Sequence, residues 1–581
     1  METLGPLLPY LSRHKLRIAV GLGAILAGTI CSLVQPYILR LAVDSLQHHA
    51  MLAAITTYVL VFLAVAAGQT LAMFVQRSTV NRVSRLVEYD LRNDAFQHLQ
   101  TLDQAFYGRM HTGDLMARLT NDLNAVRQFV GMGGILTLIS TSATLIGVAT
   151  LMLVIDWKLT LVAFAVLPLV SLSMVFVGRA VQRRFRAVQD QFGQLSTSAQ
   201  ENFSGIRVVK AFTQEQREMA AFAQANEEYV QRNLSYVRLS GVMWPFMTFV
   251  MGIALGLVLF VGGMQVAKRE ITLGQFVQFN SYLALLSWPM ISIGWVINVY
   301  QQGAASMARI MEVMSSEPVI RDTGHTLPIQ HVYGEIEFRN VGVKYGNVWI
   351  FRHVSFHVPR GSTVAIVGMT GAGKTTLMSL IPRILEADEG EVLIDGVDVR
   401  RLPLEAIRRA VGYVPQDTFL FSATLQENAM FGVRHAADDQ LTHAITVSRL
   451  SKDLEQFPSG LATVVGERGV SLSGGQKQRT ALARALLRDP TILLLDDAMS
   501  SVDTHTQSEI LAGLRQVMAE RTTLITAMRI STVKDADQIV VLEDGRISER
   551  GTHPALLAGN GLYSRMYRRE LLQQELEVDE A

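Results

Sequence analysis

The sequence predicts an all-α, six-helix transmembrane domain followed by an α/β domain built on a largely parallel core sheet. Three observations carry this reading. Six uncharged runs are each long enough to cross ~30 Å of hydrocarbon. The composition changes near residue 313. Beyond that point short β-rich runs alternate with helical ones, and one strand opens into a glycine-rich loop.

Length and composition agree. A chain of 581 residues exceeds what one core can organise, and 49% hydrophobic residues is high for an all-soluble protein. A net charge of +1 supplies no global field for nucleic acid, which is not an expected partner. The lone cysteine, Cys31, excludes an intrachain disulfide. The first residues, METLGPLLPYLSRHKLR, show no signal-peptide cleavage pattern, so insertion is expected to use the apolar runs themselves.

Those runs cover 18–39, 50–76, 128–155, 159–178, 239–267 and 271–308, with Pro36, Pro168, Pro245 and Pro289 inside them. Orientation follows from lysine and arginine. The stretch 77–127 carries seven arginines and 179–238 carries nine basic residues, whereas 156–158 is DWK and 268–270 is KRE. The long basic connections, and with them both termini, are placed in the cytoplasm. Their helical character extends the membrane helices past the bilayer on that side. The transmembrane domain is thus read as 1–312, a linker with Pro318 and Pro328 as 313–335, and the α/β domain as 336–581. In the last, EIEFRNVGVKYG, STVAIVG, EVLIDG, TILLLDD, TTLITA and QIVVLEDG read as strands.

After the strand TVAIV comes a loop of Gly368, Met369, Thr370, Gly371, Ala372, Gly373, Lys374, Thr375 and Thr376, matching G-x-x-x-x-G-K-[ST]. Glycines allow the backbone to curl so that its N–H groups cradle phosphates. Lys374 reaches the β- and γ-phosphates and the Thr375 hydroxyl ligates magnesium. Asp496, at the end of the aliphatic strand TILLLD, supplies an acid able to hold that magnesium through water. ATP and Mg²⁺ are therefore the expected cofactors of an α/β P-loop domain. A second anion-binding helix start stands at Leu472–Gln476, LSGGQ, with Ser473, Gly474, Gly475 and Gln476. One nucleotide hardly needs two such sites in one domain, so the second is read as serving a nucleotide on a different subunit.

With these motifs the chain resembles, over nearly its whole length, a half-transporter of the ATP-binding-cassette exporter family. The resemblance implies further roles. Tyr345 in VKYGN stacks on adenine, and Gln416 in YVPQD senses magnesium and the γ-phosphate. VGERG (465–469) relays motion between domains, and SSVD (500–503) crosses to the partner cassette with Asp503 as its acidic member. TGDLMARLTND (112–122) and ENFSGIRVVKAFTQE (201–215) resemble the two cytoplasmic elbows that dock on cassettes.

Two positions depart from the family pattern. The residue after the magnesium aspartate is normally glutamate, which orients the attacking water; here it is Asp497, one methylene shorter. Errors of ~1 Å in catalytic positioning can cost on the order of 100-fold. The family's γ-phosphate-contacting histidine is replaced by Met528, which has no donor for a developing oxyanion. With the binding residues intact, the expectation is a degenerate, slowly hydrolysing site. The chain would be the corresponding half of a heterodimeric bacterial multidrug exporter, its partner a related subunit carrying the glutamate and histidine. An integral inner-membrane location follows from the same resemblance.

The spans hold almost no mid-membrane charge, so a proton relay is not expected. The expected cargo is a hydrophobic or amphipathic small molecule. Lipid flipping is the alternative, and an ATP-gated channel or regulator the alternative from another class. Met243, Met247 and Met251, beside Trp244 and Phe246, recur on one helical face and read as packing before they read as an adaptable lining.

Overall fold

Uncharged apolar segments inside long helices dominate the N-terminal half. Long helical stretches run over Lys15–Gln47, Leu52–Leu99, Thr112–Ile155, Glu215–Ala267 and Leu273–Met314, the third and fifth each made of more than one helix, and each holds a segment apolar enough to cross a membrane. A further helix, Trp157–Ser204, contains the run predicted at 159–178. The structure, a computed structural model, describes residues 2–47, 52–131, 133–322, 326–327, 329, 331–457, 459–466 and 472–579. Side chains at 2–3, 166–175, 244, 247, 251, 254, 290–291, 504 and 574–579 are outside the description. Pro168, Trp244, Met247 and Met251 are thus outside it as side chains, and Pro328 and residues 467–469 of VGERG altogether.

Two of the predicted runs are interrupted. The run at 128–155 breaks between Val130 and Ile135, where glycines occupy 131, 133 and 134. The last run divides into Leu273–Leu285 and Ser287–Met314. Pro289 explains that break: it has no N–H, and its ring clashes with the carbonyl four residues earlier. Short polar clasps close the brief connections. Asp156 Oδ1 accepts the Leu159 N–H at 2.6 Å and Gln265 Nε2 at 3.3 Å. Asp44 accepts Thr272 Oγ1 at 3.1 Å and the Gly274 N–H at 2.9 Å.

The first long reversal corrects the sequence reading. The elbow expected at 112–122 lies instead in the first turns of the returning helix, Thr112–Ala117 and the π-helical turn Arg118–Asp122. The chain turns one step earlier, through a short helix Gln104–Arg109 whose N-cap, Asp103, accepts the Phe106 N–H at 3.0 Å. Buried Arg118 and Asp122 tie the returning helix to the last one. Arg118 Nη1 donates to Glu312 at 2.8 Å, and Asp122 pairs with Arg309 and accepts Ser306 Oγ at 2.8 Å. The second reversal holds a short helix, Ile206–Ala211, inside the predicted 201–215.

The chain divides into two compact units, Met1–Gln100 with His111–Ser316, and Thr101–Met110 with Glu317–Ala581. In the second, ten strands among the described residues form two sheets: β1 (Ile336–Tyr345), β2 (Val348–Val358), β3 (Thr363–Gly368), β4 (Glu389–Ile394), β5 (Val397–Asp398), β6 (Val411–Val414), β7 (Ile492–Asp496), β8 (Thr522–Thr526), β9 (Gln538–Glu543) and β10 (Arg546–Gly551). The larger runs β10-β9-β3-β8-β7-β6 and is parallel except for β10; the smaller, β2-β1-β4-β5, is antiparallel. Alternation along the parallel strands feeds two cores. Val364, Ile366 and Leu494 pack with β1, β2 and the helix Lys374–Leu380, while Ala365, Val367, Leu493 and Leu495 pack with the helices beyond the other face. Burying each such valine, isoleucine or leucine side chain stabilises the fold by about 1.5–3 kcal/mol. That packing fixes the carboxyl ends of β3 and β7 side by side with β8, and the site forms there.

Candidate functional site

The glycine-rich loop leaves the end of β3 and enters the helix Lys374–Leu380. Two of its glycines are sterically required. A Cβ at Gly368 would lie 2.4 Å from the Leu542 carbonyl oxygen. Gly373 has φ +92°, and a Cβ there would meet Ile350 and Phe351 at 2.8 Å. Inside the curl, Lys374 Nζ donates to the carbonyls of Gly368 at 2.9 Å and Met369 at 3.1 Å. Burial lowers the Lys374 pKa, and the nearby carboxylates of Asp497 and Asp496 oppose that shift. A cation held over a curl of backbone, with acids opposite, is the arrangement a polyphosphate and a divalent cation require.

The acids are fixed by residues that sequence reasoning did not single out. Asp496 ends β7 at 1% exposure. Its Oδ1 accepts Thr526 Oγ1, from β8, at 2.7 Å, and its Oδ2 lies 3.4 Å from the Tyr413 hydroxyl near the end of β6. Burial pushes the Tyr413 phenol up to about 12, with the Asp496 charge adding to it. Asp496 therefore stays the acceptor of that pair. Threonine and tyrosine on strands flanking a buried acid were the available signal; strand pairing was needed to use it. With the exposed Thr375 hydroxyl on the loop, Asp496 forms an oxygen donor set suited to Mg²⁺.

Asp497 follows in a left-handed backbone conformation, φ +46°, that few residues other than Asn, Asp and Gly adopt without cost. Its N–H is held by the Thr526 carbonyl at 3.1 Å and by Thr526 Oγ1 at 3.0 Å. Its half-buried carboxyl is shifted upward by burial, against the Met528 backbone N–H that donates to it and the charge of Lys374. Met528 thus touches the acid through its main chain, while its side chain is 45% exposed. Past it, Glu570 on the helix Leu562–Asp579 accepts the N–H groups of Ile530 at 2.6 Å and Ser531 at 3.3 Å, which holds the segment. Tyr345 is an exposed ring at the end of β1, and Gln416 is exposed two residues beyond β6.

Leu472–Gln476 opens the helix Gly474–Leu487 with a capping box. Ser473 Oγ accepts the Gln476 N–H at 3.2 Å, and Gln476 Oε1 accepts the Ser473 N–H at 3.0 Å. The cap accounts for Ser473 and Gln476; the glycines answer to packing, since Cβ atoms at Gly474 and Gly475 would approach Ser501 at 3.1 Å. Asp503 caps the next helix, Thr504–Met518, by accepting the Thr506 N–H at 2.8 Å. Among the described residues no hydrogen bond joins Leu472–Gln476 to Gly368–Thr376. The structure therefore brings Lys374, Asp496, Asp497 and the Met528 main chain together, and leaves the second anion-binding start apart from them.

The membrane unit holds a cavity of 450 Å³, within the range of small-molecule sites. Its walls are mixed: Gln69, Gln76, Arg77, Ser140 and Thr144 on one hand, Trp288 and Trp295 on the other. Polar residues at helical spacing, such as Thr137, Ser140, Thr141 and Thr144, were the sequence signal for it.

The family described as ABC transporter transmembrane region matches residues 18–290, and the one described as ABC transporter matches 351–500. The chain is 36% identical over 567 residues to a probable multidrug resistance ABC transporter ATP-binding/permease protein, YheI, of Bacillus subtilis, covering 97% of each. It is 34% identical to an ATP-dependent lipid A-core flippase of Syntrophus aciditrophicus, covering 99% of this chain and 96% of the other. It is equally similar, at 34%, to the multidrug resistance-like ATP-binding protein MdlA of Escherichia coli, over 96% and 95% of the two chains. Among solved structures, a bacterial Atm1-family ABC exporter with ATP bound superposes with a TM-score of 0.78 at 28% identity, covering 96% of this chain and 98% of that one.

Proposed function

The chain belongs to the ABC exporters, integral membrane proteins whose ATPase is coupled to transport, and on that premise we propose that it is the slow-site half of a heterodimeric multidrug exporter. The observation that carries this is the contrast between an intact phosphate loop with its magnesium acid and the pair Asp497 and Met528. A histidine at 528 would offer a ring donor to the γ-phosphate. Methionine offers only its backbone N–H, and that is already given to Asp497. ATP with Mg²⁺ held by Thr375, Gln416 and Asp496 binds here and turns over slowly. Ser473, Gly474, Gly475, Gln476 and Asp503 act on the partner's nucleotide.

Co-expression tests the assembly. A one-to-one complex with a related half-transporter carrying glutamate and histidine at the matching positions is the expected product. A purified homodimer with brisk ATPase activity would overturn the proposal.

The cargo is an amphipathic compound, supported by the mixed amide, hydroxyl and indole walls of the 450 Å³ cavity. The same polar wall, and the relative named as a lipid A-core flippase, favour lipid movement as the second reading. The membrane is a bacterial inner membrane, with both termini in the cytoplasm. In a Cys31→Ser background, an impermeant thiol reagent added to intact cells is expected to label Trp157→Cys and to spare Arg207→Cys; the reverse pattern inverts the orientation.

A further inference from the structure

We propose that Gln478 is a positioning residue that joins the two partner-facing elements of this chain, the loop 472–476 and the loop 500–503, into one block. Gln478 is 3% exposed and lies on the first turns of the helix Gly474–Leu487. Its Nε2 donates to Ser500 Oγ at 3.0 Å and its Oε1 accepts the Ser501 N–H at 3.0 Å. Both ends of one buried amide are thus engaged by consecutive residues of the other loop. Gly474 and Gly475 also lie close to Ser501: a Cβ at either would approach it at 3.1 Å, tighter than an ordinary contact. The neighbouring Arg479 forks onto buried Asp453 at 2.6 and 2.7 Å, which anchors the helix to the segment Ser451–Leu454.

The connection also reaches this chain's own nucleotide site. The Asp497 carbonyl accepts the Ser500 N–H at 3.2 Å, so the loop tied by Gln478 starts at the acid beside Lys374 of the phosphate loop. A shift of Asp497 moves Ser500, and Gln478 passes that shift to the helix start that acts on the partner's ATP. ATP retained at the slow site thereby sets the position of the loop serving the fast one. This inference rests on the reading that Leu472–Gln476 serves the partner subunit's nucleotide.

The test uses the full complex. Gln478→Leu removes both bonds at similar volume. Gln478→Glu keeps an acceptor for the Ser501 N–H, and the Ser500 hydroxyl can rotate to donate to the other oxygen. Gln478→Leu is expected to lower kcat for ATP about tenfold, short of the ~100-fold that a 1 Å misplacement costs. KM should stay within about twofold, and azido-ATP labelling of this chain should be unchanged; Gln478→Glu should recover most of the rate. Wild-type kcat in Gln478→Leu would overturn the proposal. So would labelling that falls in step with kcat, or a glutamate variant as slow as the leucine one. Ser473→Arg separates the premise: if it leaves turnover intact, the loop does not serve the partner's ATP. If it abolishes turnover while Gln478→Leu does not slow it, the premise stands and the role of Gln478 fails.

Discussion

Lys374→Ala is expected to lower the ATP affinity of this chain about 10- to 100-fold, the loss of one charge-assisted hydrogen bond of ~1.5–3 kcal/mol. The ammonium sits among the carbonyls of Gly368 and Met369, poised where phosphate oxygens would take their place. It is also the cation that offsets Asp496 and Asp497. Removing it leaves two carboxylates facing a polyanion, so binding suffers from repulsion as well as from the lost donor. Alanine cannot substitute, and arginine, with its rigid fork, does not fit a point-charge role. Azido-ATP labelling of this chain within the complex reads the effect directly. Cassette closure and transport should fall with it, even though no catalytic base has been touched. Labelling at the wild-type level would show that the phosphate loop is not the nucleotide site.

The site was legible where chemistry is local and opaque where it depends on pairing. The phosphate loop and Asp496 each announce themselves within a few residues, because the backbone curl needs glycines and the magnesium acid needs a buried strand beneath it. Thr526 and Tyr413 carry no such local mark; they matter only because β8 and β6 flank β7. The cavity in the membrane unit had a partial mark in Thr137, Ser140, Thr141 and Thr144 on one helix, but its other walls, such as Gln69 and Trp288, are isolated residues until their helices meet.

Among the strands, β3, β7, β8 and β9 read as continuous buried runs, whereas β2, β5, β6 and β10 were not predicted. β10, RISERG, is polar apart from Ile547 and lies at the sheet edge, and its signal was the Asp544–Gly545 turn, with φ +48° and +72°. β6 is only four residues and includes Gly412, too short to assert itself over the helix before it. The elbow misplaced at 112–122 shows the limit of carrying a motif by resemblance. The conspicuous TGD lies on the helix that leaves the turn, and the turn itself, Gln104–Arg109, has only six residues.

Ser473→Arg is expected to remove most ATP turnover by the complex, and Asp497→Asn to change it by less than about twofold. Ser473 is exposed at a helix start whose N–H groups favour an anion, and a bulky cation there blocks the face that closes on the partner's ATP. The partner's glutamate changed to glutamine should be as severe as Ser473→Arg, because both act on the fast site. Asp497 acts on the slow one. Its carboxyl is held by the Met528 N–H, shifted upward by burial, and tied at its backbone to Thr526, so asparagine can keep the same place at the cost of a base that contributes little. The reverse change has a structural limit. Asp497→Glu alone should restore little, since Met528 still gives the γ-phosphate no side-chain donor; Asp497→Glu with Met528→His supplies both groups. Steady-state ATPase of the purified complex decides the matter: if Asp497→Asn abolishes turnover as fully as the partner's glutamate change, hydrolysis runs through Asp497 and the slow-site assignment is wrong.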